Sequence, residues 1–536
     1  MIPNRKLLSV AVALAFAAPA VPAFADTSTG PSSSASPFVV NVPARVDIMS
    51  LLTVGDSVNT KPGSSSEPYR MVGIPDGMGA YDNGDGTFTV LMDHELNDNV
   101  GVVREHGAIG SFVSQWIIRK SDLAVLHGGD LIKKQFLWNS STGVYEAGVD
   151  AISRLCSADL PLASAFYNAK SGKGYSGRIF MNGEETGAEG RAFAHIATGP
   201  GAGISYQLPY LGRFSWENSL ASPYQQDKTI VIGLDDTTPG QLYVYVGEKQ
   251  DTGNEVDKAG LSNGTLSGIK VEGVGNEDRL LGIPNGTPFS LYNFGDVSGL
   301  SGAELQNLSG NDGENVTQFL RPEDGAWDPT NPNVFYFVTT DRFDTTKDGS
   351  GGTTQARSRL YRLTFRDIRH PDWGGKIDTM LDGTGPQQML DNIAVDADGS
   401  LLMQEDPGGN NHLARVWKFY PKKRKLVEIA KSDPARFGAP ATPAFLTVDE
   451  EHSGIIEVTD LLGKELASDR KKSERDDDDG KRSRAQDDDD DYSRGKGGNR
   501  YYLGVTQVHS SSSVDKDAEL VEGGQLWLLT VPENLK

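Results

Sequence analysis

Residues 177–195, GRIFMNGEETGAEGRAFAH, decide how the chain is read. Ile179 and Met181 alternate with Phe180 and Asn182, the period of two that marks a strand. That strand delivers two adjacent carboxylates, Glu184 and Glu185, into a turn flanked by Gly183 and Gly187, residues that permit sharp turns and close backbone approach. Taken alone, such a pair reads as a solvated acidic turn. Its recurrence along the chain argues for a cation.

Four other apolar runs end on an acid in the same way: 87–95 (TFTVLMDHE), 241–248 (QLYVYVGE), 334–341 (VFYFVTTD) and 400–406 (SLLMQED). A sixth strand, 525–531 (QLWLLTV), has no acidic end. These strands lie roughly 60 to 125 residues apart, too far for a tight solenoid but suited to propeller blades of four strands with long insertions. Radial repetition would gather strand ends from distant parts of the chain around one central cavity. A β-sandwich or two barrels, the alternatives, would scatter the acids. The expectation is an all-β propeller.

Hydrophobic residues make up 37% of the 536, and 62 are glycine, which excludes disorder of the whole chain and suits a loop-rich fold. Asn4-Arg5-Lys6, the apolar run 7–16 and Pro22-Ala23-Phe24-Ala25 have the layout of a secretory signal with an A-x-A cleavage site. Segment 1–25 is therefore expected to be a signal peptide, and the protein exported to the periplasm or the exterior. Residues 26–36, rich in Ser, Thr, Gly and Pro, read as a disordered linker, and 37–536 as one propeller domain. Within it, 468–498 combines two aspartate blocks with lysines and arginines and reads as a disordered insert. A net charge of −22 argues against nucleic acid and anionic membranes as partners and fits calcium. A monomer is expected. The single cysteine, Cys156, excludes an internal disulfide framework and is either buried or a metal ligand.

Asp93-His94-Glu95, Cys156, Glu184-Glu185, Glu217, Asp235-Asp236, Glu323-Asp324, Asp391-Asn392 and Glu405-Asp406 are the candidate site residues. Oxygen donors dominate the set. There is no HExxH, CxxC or Walker sequence, and the turn Asp82-Asn83-Gly84-Asp85-Gly86 lacks the distal glutamate of an EF-hand. Metal-assisted hydrolysis remains among enzymatic chemistries, with Arg321, two residues before Glu323, placed either to clamp an anionic substrate or to pair within the acids.

Pro75-Asp76-Gly77-Met78-Gly79, Asp93-His94-Glu95, Cys156, Asn182-Gly183-Glu184-Glu185, 211–217 (LGRFSWE), Arg321-Pro322-Glu323-Asp324, Asp391-Asn392 and Gln404-Glu405-Asp406 occur in that order. The ordered set resembles the PhoX-type alkaline phosphatases and their relatives of unassigned activity. The resemblance implies a six-bladed propeller whose central cavity holds calcium and iron ions bridged by an oxo group, hydrolysing small phosphomonoesters outside the cell. Motif by motif, it implies Cys156 as a thiolate ligand to iron and Glu217 and Glu323 as carboxylate ligands. Glu95, Glu184 or Glu185, Asp391 and Asp406 join the metal set, and Arg321 matches the phosphate-binding arginine. The alternatives left open are the same propeller acting on phytate, phosphodiesters or other esters, and a calcium-stabilised extracellular binding or matrix protein without catalysis.

Overall fold

Short antiparallel meanders, each starting at an inner strand and stepping outward, account for almost all of the ordered chain. The computed structural model describes residues 27–438, 440, 442–463, 466, 498–509 and 517–535. The first meander runs Pro75–Asp82, Thr87–His94, Phe112–Arg119, Val125–Asp130. In the second, isolated bridges at Leu155 and Asp159 lie antiparallel to Ile179–Gly183 and are followed by Ala192–Ile196 and Ile204–Gln207, with Lys134–Asn139 and Val144–Gly148 at the outer edge.

Two further meanders share a nine-stranded sheet. One steps outward from Trp216–Ala221 through Lys228–Asp235, Leu242–Glu248 and Thr265–Val271 to Thr287–Gly295. The other steps from Pro322–Trp327 through Val334–Thr339 and Arg359–Phe365 to Gly375–Leu381, where the outer edges join. The two inner strands of this sheet lie against each other. The fifth meander is Leu390–Val395, Leu401–Glu405, Arg415–Tyr420, Lys425–Ser432, edged by Val39–Asn41. In the sixth, Glu450–Glu451 and Ile455–Glu457 pair with Asn499–Val508, which pairs with Gly523–Pro532 and then with Asp47–Thr53. The amino- and carboxyl-terminal strands thus share one sheet, satisfying edges that would otherwise be open.

The sheets are apolar on both faces because each is sandwiched between neighbours. Val90, Leu91 and Met92, consecutive in one strand, are all fully buried. Leu91 and Val113 of the first meander pack on Leu155 and Phe180 of the second, and Val334 and Val338 of the fourth on Leu390 and Met403 of the fifth. Leu402 and Val416 then meet Tyr502 and Trp527, and Leu503 and Leu526 of the sixth close on Met78 and Trp116 of the first.

Two expectations change. Residues 27–36 are held rather than loose. Thr27–Thr29 pairs in parallel with 48–50, the Ser50 hydroxyl donates to Ala35 O, and Gln525 Nε2 donates to Ser36 O. Two strand-end acids do not join the others, Asp341, which pairs with Arg279, and Glu248. Its strand is the third of its meander and runs antiparallel to Lys228–Asp235, so Lys228 lies opposite Glu248 and the acid emerges exposed at the far end. The proposed signal segment 1–25 and, apart from Gly498, the insert 468–498 lie outside the described residues.

Candidate functional site

All six inner strands present a carboxylate or thiol at the same place, immediately after the first paired residue: Asp76, Cys156, Glu217, Glu323, Asp391 and Glu451. The partners of those first residues are His94, Glu184, Asp235, Thr339, Glu405 and Val508. One step further along each second strand stand Glu95, Glu185, Asp236, Thr340, Asp406 and His509. In every unit the amide of this second residue donates to the carbonyl two positions before the inner-strand residue: Glu95 to Ile74, Glu185 to Arg154, Asp236 to Ser215, Thr340 to Arg321, Asp406 to Met389, His509 to Asp449, all at 2.8–3.0 Å. Two tiers of side chains are thereby set around one axis by backbone geometry alone.

Two local devices aim them. Four inner strands carry a register shift just after their first pair, at Pro75/Met78, Trp216/Ser219, Pro322/Gly325 and Leu390/Ile393. Bulges of this kind redirect side chains beside functional sites. Four inner strands are also entered through a left-handed non-glycine residue, Ile74 (φ 52°), Arg154 (45°), Arg321 (57°) and Met389 (33°), a conformation that persists only where the surroundings impose it. Gly183 is required for packing: a Cβ there would sit 2.4 Å from Trp216 Cβ.

The tiers enclose a cavity of about 60 Å³ lined by Glu95, Arg154, Cys156, Glu185, Glu217, Asp236, Arg321, Glu323, Asp391, Asp406 and Glu451. Asp76, Glu95 and Cys156 bring donor atoms within 4.8 Å of one another, as do Glu217, Glu323 and Asp391. Cys156 Sγ lies 3.1 Å from Glu217 Oε2 and 3.7 Å from Asp76 Oδ2. Burial, followed by mutual repulsion, raises Asp76, Glu217, Glu323 and Asp391 well above the ordinary carboxylate range. Glu185 and Asp406 are pushed up by burial to about 8, and burial also raises the Cys156 thiol. Without cations, these groups bind protons more readily than ordinary carboxylates and thiols.

The donor set fits metal ions. Asp76 Oδ1 is buried with no partner among the described residues, and two clusters of buried acids lie in one small cavity, a combination that cations neutralise. The all-carboxylate trio suits a hard cation such as calcium, and the trio holding Cys156 adds a softer donor. Beside these ligands Asp324 accepts from Asn218 Nδ2 (2.7 Å) and Ile393 N (3.1 Å), and Ser157 donates to Glu217 Oε1.

Arg321 grips Asp236 with Nε and Nη2 (2.9 and 2.8 Å) and reaches Glu323 Oε1 at 2.7 Å. Of the two roles foreseen for it, the ion pair among the acids is present, and its side chain lines the cavity. Of the metal candidates, Glu95, Cys156, Glu185, Glu217, Glu323, Asp391 and Asp406 come together at the cavity. Glu184 does not. It occupies the bridged position opposite Leu155, so its side chain points away from that of Glu185. Arg191 holds it with Nε and Nη2 (2.7 and 2.8 Å), and Ser153 N donates to it. His94 is structural, stacked on Phe112 and bonded to Ser114, with burial lowering its pKa to about 3.

Four site residues were not in the predicted ligand set. Asp76 and Asp236 stood within motifs already singled out. Arg154 shares with Arg321 its spacing of two before a cavity ligand. Glu451, in an acidic turn with no strand of regular period before it, offered no comparable signal.

The family model of alkaline phosphatase PhoX matches residues 205–436, which contain Glu217, Arg321, Glu323, Asp391 and Asp406. No curated protein matches the sequence. Among solved structures, Pseudomonas fluorescens PhoX in complex with vanadate, a transition state analogue, superposes with a TM-score of 0.60 at 12% identity, covering 94% of this chain and 97% of that one. The quinohemoprotein alcohol dehydrogenase of Comamonas testosteroni (TM-score 0.26, 7% identity, covering 83% of this chain and 58% of that one) is similar only at a level that carries no argument. The same holds for a Synechocystis apocarotenoid oxygenase mutant (0.30, 7%, covering 89% and 95%). The resemblance to the PhoX-type alkaline phosphatases carried by the motifs is thus shared by the family match over residues 205–436 and by the fold over nearly the whole chain.

Proposed function

We propose that the protein is a metal-dependent phosphatase that hydrolyses small phosphomonoesters, built as a six-bladed propeller around its cavity. The observation that carries the reading is the cavity itself: buried carboxylates and a thiol able to hold cations, with a guanidinium at the same wall. Six meanders, each packed on the next, support the propeller, and the two-tier repeat of ligand positions supports a centre on its axis. The PhoX match supports the reaction class.

Glu217, Glu323 and Asp391 would hold calcium, and Asp76, Glu95 and Cys156 would hold the softer ion, iron in this proposal. Bound cations supply Lewis acidity toward a phosphoryl oxygen and lower the pKa of water. The chain's own part is to orient the ester and offset its charge. Arg321, fixed by Asp236 and Glu323, presents its guanidinium to the phosphoryl oxygens, a pairing that Arg geometry favours. The layout of residues 4–25 supports export, to the periplasm or the exterior, and the net charge of −22 argues against nucleic-acid and anionic-membrane partners. Action as a monomer completes the proposal. Among the described residues no helix is long and apolar enough to cross a membrane.

The test is hydrolysis of p-nitrophenyl phosphate and bis(p-nitrophenyl) phosphate at alkaline pH by protein loaded with calcium, with and without iron, alongside metal analysis. Calcium-dependent turnover of the monoester supports the proposal. Preference for the diester would move the substrate class, and metal binding with no turnover of either would leave a calcium-binding propeller.

A further inference from the structure

We propose that Arg154 is a second phosphate-binding residue, gripping the same phosphoryl group as Arg321; the inference rests on the phosphatase reading above. The two arginines occupy equivalent places in two of the six units. Each stands two residues before the inner-strand ligand, in the left-handed conformation (φ 45° and 57°). Each accepts the second-tier amide on its carbonyl, from Glu185 at 2.8 Å and Thr340 at 2.9 Å. The four other equivalent positions hold Ile74, Ser215, Met389 and Asp449, so the tier carries two cations.

Their guanidinium groups are also used alike. Arg321 commits Nε and Nη2 to Asp236 and Glu323. Arg154 commits Nε to Glu185 O at 3.2 Å and Nη2 to Glu185 Oε2 and Glu95 Oε1. Among the described residues neither Nη1 has a partner, and the side chains remain 39% (Arg154) and 28% (Arg321) exposed at the cavity wall. Two N–H groups on each arginine are therefore held in place and unspent. Both side chains line the one cavity, whose volume is only about 60 Å³, so an anion bound there is the ligand that their free N–H groups would share. A phosphomonoester brings close to two negative charges on three acceptor oxygens. It must enter among eight acidic side chains on that wall, Glu95, Glu185, Glu217, Asp236, Glu323, Asp391, Asp406 and Glu451. Permanent cations that cannot lose their protons are suited to that position.

The experiment compares wild type, Arg154→Gln and Arg154→Lys, each metal-loaded and analysed for bound metal. It measures p-nitrophenyl phosphate kinetics and inhibition by inorganic phosphate. The expected result for Arg154→Gln is a KM and a phosphate inhibition constant raised on the order of tenfold to a hundredfold, the range for losing a hydrogen bond to a charged group. Metal content should be unchanged, and Lys should restore part of the loss. Unchanged KM and phosphate inhibition, or a loss that tracks lost metal, would overturn the proposal. If wild type turns over no ester, the phosphatase reading falls by itself. Calorimetric binding of inorganic phosphate to the same proteins then decides on Arg154, equal affinities refuting it.

Discussion

Stripping cations from the cavity should make the protein less stable as pH rises from 6.5 to 8, and the size of the effect follows from named groups. Glu185 and Asp406 have folded-state pKa values near 8, against ordinary values of 4.5 and 3.8. His509, paired with Glu451 and Glu522, is desolvated, yet these hydrogen bonds raise it from 6.5 to about 11. In this window all three bind protons more strongly in the folded chain than in the unfolded one, so stability falls with pH. The buried histidines His94, His195 and His452, lowered to about 3, act in the opposite direction, mostly below 6.5, which is why the window starts there. Over 1.5 pH units each of the three groups contributes about 1.7 kcal/mol, about 5 kcal/mol together, of which the three histidines offset about 1 kcal/mol. For 536 residues the unfolding entropy near 60 °C is about 1.1 kcal/mol per kelvin, so Tm should drop by about 4 °C. Thermal unfolding in chelator, scanned across that window, measures this directly. Calcium should raise Tm more at pH 8 than at 6.5, because carboxylate ligands must shed protons to bind it. A chelated protein whose Tm is flat or rises over the window, or a calcium effect larger at pH 6.5, would refute the assignment of these buried acids to a cation site.

Three other substitutions separate the roles of neighbouring residues. Arg321→Ala should lower kcat/KM for p-nitrophenyl phosphate by roughly a hundred- to a thousandfold, the scale for removing a preorganised donor to a charge-bearing oxygen, with bound metal unchanged on elemental analysis. Cys156→Ala removes the single cysteine of the chain and should cost the softer ion while calcium is retained, as read by elemental analysis of the loaded protein. Glu184→Gln leaves the Arg191 guanidinium without its buried carboxylate and should destabilise by about 3–5 kcal/mol, visible in denaturant unfolding. It should nonetheless leave metal content per folded molecule intact, whereas Glu185→Gln should lower it.

What the sequence by itself determined was local. Period-two apolar runs ending in acids specified strands and put carboxylates at their ends, because alternation and turn chemistry act over a few neighbouring residues. Collinear motifs were enough to name Glu217, Arg321, Glu323, Asp391 and Asp406 as members of one site. Which acids face one another was decided only by tertiary structure. Glu184 and Glu185 are adjacent, yet strand geometry turns one to Arg191 and the other to the cavity. QLYVYVGE ends in an acid like its fellows, but as a third strand it runs the other way and carries Glu248 outside. Glu451 reaches the site because the sixth meander closes on the first, a contact between segments hundreds of residues apart that no local pattern encodes. The left-handed conformation of Arg154 and Arg321 follows the same logic. Their conformation is unfavourable in isolation, and hydrogen bonds from the neighbouring strand impose it.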